Sequence, residues 1–180
     1  MNRPDGFTLI ELMVTLAVVA IVLTIGIPSF RELILNNRMV TQTNDLLGAL
    51  GLARSEAIKR GVRVVMCRST ASICATDSTS VWETGWIIFA DPNGNGALDA
   101  GESIIKVRES TGGAMTIRTG GTLTRWIAYQ PSGVSIGDTG LGTGTFRLCD
   151  SRGVGHARFV VISSTGRARV RPKQTGDTCP

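Results

Sequence analysis

The sequence predicts an α+β chain in which one long N-terminal helix, apolar in its first half and amphipathic in its second, packs on an antiparallel β-sheet or a two-sheet head. Three observations predict it. Residues 7–27 form an apolar run with a single charge, Glu11. Apolar residues then recur at helical spacing as far as Arg60. Beyond Gly61 the period falls to two, and turn-rich clusters cut the chain into short segments. With 180 residues, 42% of them apolar and 18% charged, the chain can bury one ordinary core and is neither disordered nor collagen-like. Its 22 glycines and 5% aromatic content argue against a pure helical bundle.

At a helical rise of ~1.5 Å per residue, residues 7–27 reach ~32 Å, the thickness of a bilayer's hydrocarbon core. Residues 7–30 are therefore assigned as a transmembrane half-helix. A secretory signal peptide is disfavoured, because the run is too long, Arg3 is the only basic residue before it, and Gly26-Ile27-Pro28-Ser29 follows instead of an Ala-x-Ala site. A carboxylate in the apolar part of a membrane helix costs up to ~2.5–3.5 kcal/mol at the midplane. Glu11 therefore calls for a partner or a use, which a passive anchor would not supply.

Residues 31–60 continue the helix. Phe30, Ile34, Val40, Leu47, Leu50, Ala53 and Ala57 form an apolar stripe, while Arg31, Asn36, Asn37, Gln42, Asn44 and Arg54 occupy the other faces. Lys59 and Arg60 suit a helix C-terminus and Gly61 the left-handed position after it. Pro28 lacks an amide hydrogen and crowds the Thr24 carbonyl, which predicts a kink or local melting over residues 26–28. In the head, residues 61–180, the segments 62–68, 85–90, 103–107, 115–118, 125–130, 145–149 and 157–163 read as strands.

Cys67, Cys74, Cys149 and Cys179 are an even set on a domain that the membrane span places outside the cytoplasm, so disulfides are expected. Of the three connectivities, Cys67 with Cys74 and Cys149 with Cys179 is favoured. The first closes a hairpin-like loop; the second staples the tail to a strand. A zinc site is poorly supported, since the spacing between Cys67 and Cys74 is no ligand hook and His156 is the only histidine.

Two motifs carry candidate chemistry. The stretch Asp91 to Glu102 matches D-x-N-x-N-G-x5-E, in which Asp91, Asn93, Asn95, Asp99 and Glu102 offer oxygens for calcium and Gly96 makes the turn. Strand-like residues flank it, so it is no EF-hand, and Asx turns explain the same composition without metal. The second motif is basic. Residues 147–180 hold seven Arg and Lys against two Asp, a net +5, while the first 146 residues balance at twelve of each sign. Within this tail, Arg167, Arg169 and Arg171 alternate along an extended segment and share a face, with Lys173 beyond them. Such a comb would follow a phosphate backbone without reading bases. It would equally serve as a charged edge strand that discourages sheet aggregation. No hydrolase motif is present, and neither an enzymatic activity nor a cofactor is expected.

The segment Gly6-Phe7-Thr8-Leu9-Ile10-Glu11 strongly resembles the processing signal of type IV prepilins and type II secretion pseudopilins. The resemblance implies that residues 1–6 are a leader, cut between Gly6 and Phe7 by a prepilin peptidase that methylates the new Phe7 amine. It implies that Glu11 pairs with that amine on a neighbouring subunit during assembly, and that the chain crosses the inner membrane once, N-terminus cytoplasmic and head periplasmic, before entering a pilus or pseudopilus. Asp5 departs from the pattern, which has Lys or Arg before the glycine. Trp82, Gly85, Trp86, Phe89, Asp91, Asn93, Asn95 and Gly96 resemble a motif of the pseudopilin H and FimT/FimU group, where it reads as a turn between strands. Gly166-Arg167-Ala168-Arg169 is similar to the G-R-x-R motif of FimT-like minor pilins, which bind DNA in natural transformation. The implied protein is a minor pilin whose partners are other pilin subunits and double-stranded DNA. A type II secretion pseudopilin H and a membrane-anchored calcium-binding module are the alternatives.

Overall fold

Thr8 starts the helix. Its Oγ1 accepts from the Glu11 amide at 3.3 Å and its carbonyl from the Leu12 amide at 3.2 Å, so Thr8 is the N-cap and α1 runs Leu9–Arg60, beginning two residues after Phe7. The computed structural model describes residues 6–70, 73–75, 81–110, 112 and 115–179; the leader residues Met1 to Asp5 lie outside that set. The chain divides into two units at Arg38 and Met39.

In the first unit, large apolar side chains from Phe7 to Ile34 are exposed. Their helix is long and apolar enough to cross a membrane. The helix is unbroken through Gly26 to Pro28, so the expected melting does not occur.

In the second unit, Met39, Thr43, Leu46, Ala49, Leu50, Ala53 and Ala57 are the buried stripe of α1. Gly61, with φ 67°, ends the helix, its amide donating to the Ala57 carbonyl at 3.0 Å. The strands are β1 (Val64–Thr70), β2 (Ile73–Cys74), β3 (Gly85–Ala90), β4 (Ile104–Glu109), β5 (Thr116–Gly121), β6 (Trp126–Tyr129), β7 (Ser135–Gly137), β8 (Gly140–Leu141), β9 (Gly144–Cys149), β10 (Arg158–Ile162) and β11 (Ala168–Arg171). They build two antiparallel sheets, one ordered β4-β3-β1-β6-β7-β8 with β2 hanging from β1, the other β11-β10-β9-β5.

The core lies where the helix stripe meets one face of each sheet: Val64, Met66, Trp86, Ile88, Ile127 and Tyr129 from the first, Ile117, Phe146, Leu148, Val160 and Ile162 from the second. Trp82, just before β3, packs edge-on against Phe146 at 5.0 Å. The opposite face of the larger sheet carries a second, smaller core of Val65, Cys67, Ile87, Phe89 and Ala128. Two covers close it: the β1–β2 hairpin, bonded Cys67 to Cys74, and the segment after β3, which brings in Leu98. Packing thus accounts for Trp82, Trp86 and Phe89, and Gly85, at φ 127°, sits where a Cβ would meet the Arg108 carbonyl oxygen.

Candidate functional site

The segment after β3 is built around one carboxylate. Asp91 has no exposed surface. Its Oδ1 accepts from the amides of Gly94 at 2.8 Å and Asn95 at 3.2 Å. Its Oδ2 accepts from the Gly96 amide at 3.0 Å and from Arg63 Nε and Nη2 at 2.8 and 2.5 Å. The Asn93 and Asn95 carbonyl oxygens accept from the amides of Asn95 and Ala97, at 3.1 and 2.8 Å. Both side-chain amides donate to Asp99 Oδ2, at 2.8 and 2.7 Å, and these hydrogen bonds lower the Asp99 pKa. Glu102 Oε2 accepts from the Asp99 amide at 3.0 Å. The five oxygen-bearing residues therefore do converge, but as turn-makers whose oxygens accept mainly from backbone and side-chain amides of the same segment. Among the described residues no group of three or more His, Cys, Asp or Glu side chains is placed to hold a metal ion.

The basic tail forms β11, the edge of the smaller sheet. Phe146, Leu148, Val160 and Ile162 face the core, so the alternate residues of the same strands face away from it. Register places Arg171 opposite Phe159, Phe159 opposite Arg147 and Arg147 opposite Arg118, one cross-strand row on that outer face; Arg169 lies opposite Val161 in the next row. Arg167 and Arg169 are exposed, as is Lys173. Arg167 and Arg169 have no acidic partner among the described residues, while the charge of Lys173 helps to lower the Asp177 pKa. Arg118 is paired with Glu83.

Arg171 differs from its neighbours. Its guanidinium lies 4.7 Å from the centroid of the Phe159 ring and donates from Nη1 and Nη2 to Asp177 Oδ2 and Oδ1, at 2.6 and 2.7 Å. The fork, with a further hydrogen bond from the Gln174 amide, draws the Asp177 pKa down to about 2. Residues 172–179 return to the sheet because Cys179 is bonded to Cys149 on β9. Arg147 Nη1 also reaches Thr178 Oγ1, at 3.5 Å.

Gly166 fixes where this strand begins. It is buried, with φ 76°, and a Cβ there would run into the Gly133 carbonyl oxygen. The G-R-x-R glycine is thus a close-approach position that seats the Ser163–Arg167 turn on the loop before β7.

Sequence reasoning missed Asp177, Phe159, Arg147 and Arg63. The Cys149 to Cys179 pairing was the available signal for Asp177, since it carries residue 177 back beside the arginine strand. At the other end of the chain, Gly6 and Phe7 are exposed ahead of the Thr8 cap, and Glu11 stands exposed in the first helical turn.

Two family models match the chain: one described as type II transport protein GspH, over residues 42–166, and one described as a prokaryotic N-terminal methylation motif, over residues 1–27. Two crystal forms of the type IV minor pilin FimU of Pseudomonas aeruginosa, strain PAO1, are similar in structure. The P21 form has 19% identity and a TM-score of 0.54, covering 76% of this chain and 90% of FimU. The P65 form has 21% identity and a TM-score of 0.48, covering 72% and 89%. The first likeness is one of fold. No curated protein matches the chain.

Proposed function

The chain belongs to the family of type II transport protein GspH, and from that premise we propose that it is a minor pilin that binds double-stranded DNA without sequence preference during DNA uptake. Residues 7–30 store it in the inner membrane, N-terminus cytoplasmic and head periplasmic. Prepilin peptidase cuts between Gly6 and Phe7 and methylates the Phe7 amine. The helix then leaves lipid for a filament of other pilin or pseudopilin subunits, and Glu11 compensates the amine of a neighbour as both charges are buried. The match of the N-terminal methylation motif over residues 1–27 supports this processing. Mass spectrometry of the assembled chain should find methylated Phe7 at its N-terminus; an intact Met1 there refutes the cleavage. Glu11→Ala should abolish incorporation into surface fibres.

One observation carries the DNA reading: Arg169 on the edge strand β11 and Arg167 in the turn just before it both stand exposed, without acidic partners among the described residues. Guanidinium forks take phosphate bidentately, and a row of them tracks a backbone rather than base edges. Arg167, Arg169 and Lys173 are three available cations. Arg171 joins the strip but is engaged by Asp177. At about −0.9 per neutralised phosphate, the logarithmic salt slope on duplex DNA should be about −2.7. The test is mobility shift of the full chain in detergent across a salt series. The Arg167→Ala, Arg169→Ala double variant should lose about 1.8 of that slope, and retention equal to the parent chain overturns the reading.

The description of the matched family favours a second reading, a pseudopilin H subunit of type II secretion with no nucleic-acid role. It predicts no DNA retention at any salt and loss of protein export on deletion.

A further inference from the structure

Besides a hydrogen bond from its Nη1 to the Pro172 carbonyl oxygen at 3.0 Å, two contacts of different kinds position the Arg171 guanidinium. The first is stacking on Phe159, which is fully buried and lies directly opposite in the strand register. The second is the Asp177 carboxylate, held by both terminal nitrogens of Arg171 and by the Gln174 amide at 2.7 Å. A carboxylate gripped by a guanidinium fork and a backbone N–H uses the donor arrangement that a phosphate uses. Stacking on Phe159 does not need Asp177, so the fork stays aimed when the carboxylate leaves.

We propose that Arg171, Phe159 and the Gln174 amide form a phosphate site on the outer face of the smaller sheet, and that Asp177 occupies it as an internal competitor. Displacing Asp177 adds Arg171 to the DNA-binding strip. The inference rests on the DNA reading above.

The tail keeps the competitor close. Cys179 is bonded to Cys149, and the Asp177 amide donates to the Gln174 carbonyl at 3.2 Å, so residues 174–177 form a turn pinned beside β9 and β11. A tethered group acts at high effective concentration, which an incoming phosphate must exceed. The Asp177 side chain keeps 14% of its surface open to solvent, so a phosphate approaching the face meets the rim of the pair. Asp177 remains ionised at neutral pH, so the site is never vacant for want of charge.

The test uses the full chain in detergent with a mixed-sequence DNA duplex. Asp177→Asn should steepen the salt slope by about 0.9, from about −2.7 to about −3.6, as one more phosphate is neutralised. Asp177→Ala should repeat the change with no neutral hydrogen bond left to Arg171. Arg171→Ala alone should leave the slope at about −2.7, yet added to Asp177→Asn it should cancel the gain. That non-additivity separates occupancy of a site from a general loss of tail structure. Two results overturn the proposal while leaving DNA binding intact: an unchanged slope in both Asp177 variants, or a flattening by Arg171→Ala in the parent background. If neither the parent chain nor the Asp177 variants retain DNA, the DNA reading itself falls, and the competitor with it.

Discussion

Arg63 with Asp91 and Arg171 with Asp177 are the same ion pair in two settings. Arg63 and Arg171 are alike, each side chain 18% exposed, but Asp91 is fully enclosed whereas Asp177 is 14% exposed. Asp91 answers three backbone amides besides its arginine; Asp177 answers one. The difference lies in what else the carboxylate holds. Where several amides depend on an acid, its arginine completes a structural knot. Where few do and solvent reaches the rim, the arginine is available to another anion. The segment 91–102 belongs to the first kind, the C-terminal tail to the second.

Removing each acid should separate the two settings. Asp91→Ala strands Arg63 and three amides beneath the cover of the smaller core, and breaking a buried pair from one side costs about 3–5 kcal/mol. The urea midpoint should fall accordingly, with the m-value retained. Asp177→Ala should move that midpoint far less. Equal losses would mean that the tail is as structural as the turn.

A glycine in each region gives a smaller contrast. Gly166 and Gly96 have φ of 76° and 77°. Alanine at either would bear about 1–2 kcal/mol of left-handed strain. At Gly166 the new Cβ meets the Gly133 carbonyl and backbone must shift, adding about 1–3 kcal/mol of overpacking. At Gly96 it meets the Trp126 side chain, which can yield. Gly166→Ala should therefore lower Tm more than Gly96→Ala and, by displacing β11, should weaken DNA retention as well. The reverse order would show that the turn after β3 is the stiffer of the two.

What the sequence made legible follows from range. The helix was readable because its signals are local, the apolar run and Lys59-Arg60-Gly61 at its end; of the expected stripe Leu50, Ala53 and Ala57 are buried, but Phe30, Ile34 and Val40 are exposed and Met39, Thr43, Leu46 and Ala49 take the core face. The longer strands were readable from alternation. β2, β7 and β8 were not, because two or three residues have no period. At Pro28 the expected melting is absent, the helix of 52 residues running through it. Arg169 and Arg171 were legible as alternate residues of one strand, but Arg167 falls in the turn before it, and the neutralisation of Arg171 was not legible. It needs Asp177, whose position depends on a disulfide spanning 30 residues. Arg63 and Asp91 meet across 28 residues, through the pairing of β1 with β3.

A titration gives the next smaller effect. Asp177 titrates at about 2 when folded, against about 3.9 for an unperturbed carboxyl. A folded pKa depressed in this way contributes stability that is fully present above about pH 4 and is lost as pH falls through 2. Parent and Asp177→Asn chains should therefore differ in Tm above that window and converge towards pH 2, with added salt narrowing the gap. A difference that persists unchanged at pH 2 would mean that the tail contact is not ionic.

The smallest expected effect is that of calcium on the 91–102 segment. Calcium takes about six to eight oxygens. Here both Asp91 oxygens are engaged by amides and Arg63, and the Asn93 and Asn95 carbonyls by amides. Glu102 Oε1 is buried without a hydrogen-bond partner among the described residues, but one such oxygen falls far short of a shell. The Arg63 guanidinium, 2.5 Å from Asp91 Oδ2, sets a fixed positive charge where the first ligand of the D-x-N-x-N-G pattern would have to hold the ion. Binding would require that pair and several turn hydrogen bonds to break together. The Tm of the full chain should therefore be the same in millimolar calcium and in chelator. A calcium-dependent rise would invert the comparison, making Asp91 the carboxylate with an outside ligand and leaving Asp177 as the one that serves only the fold.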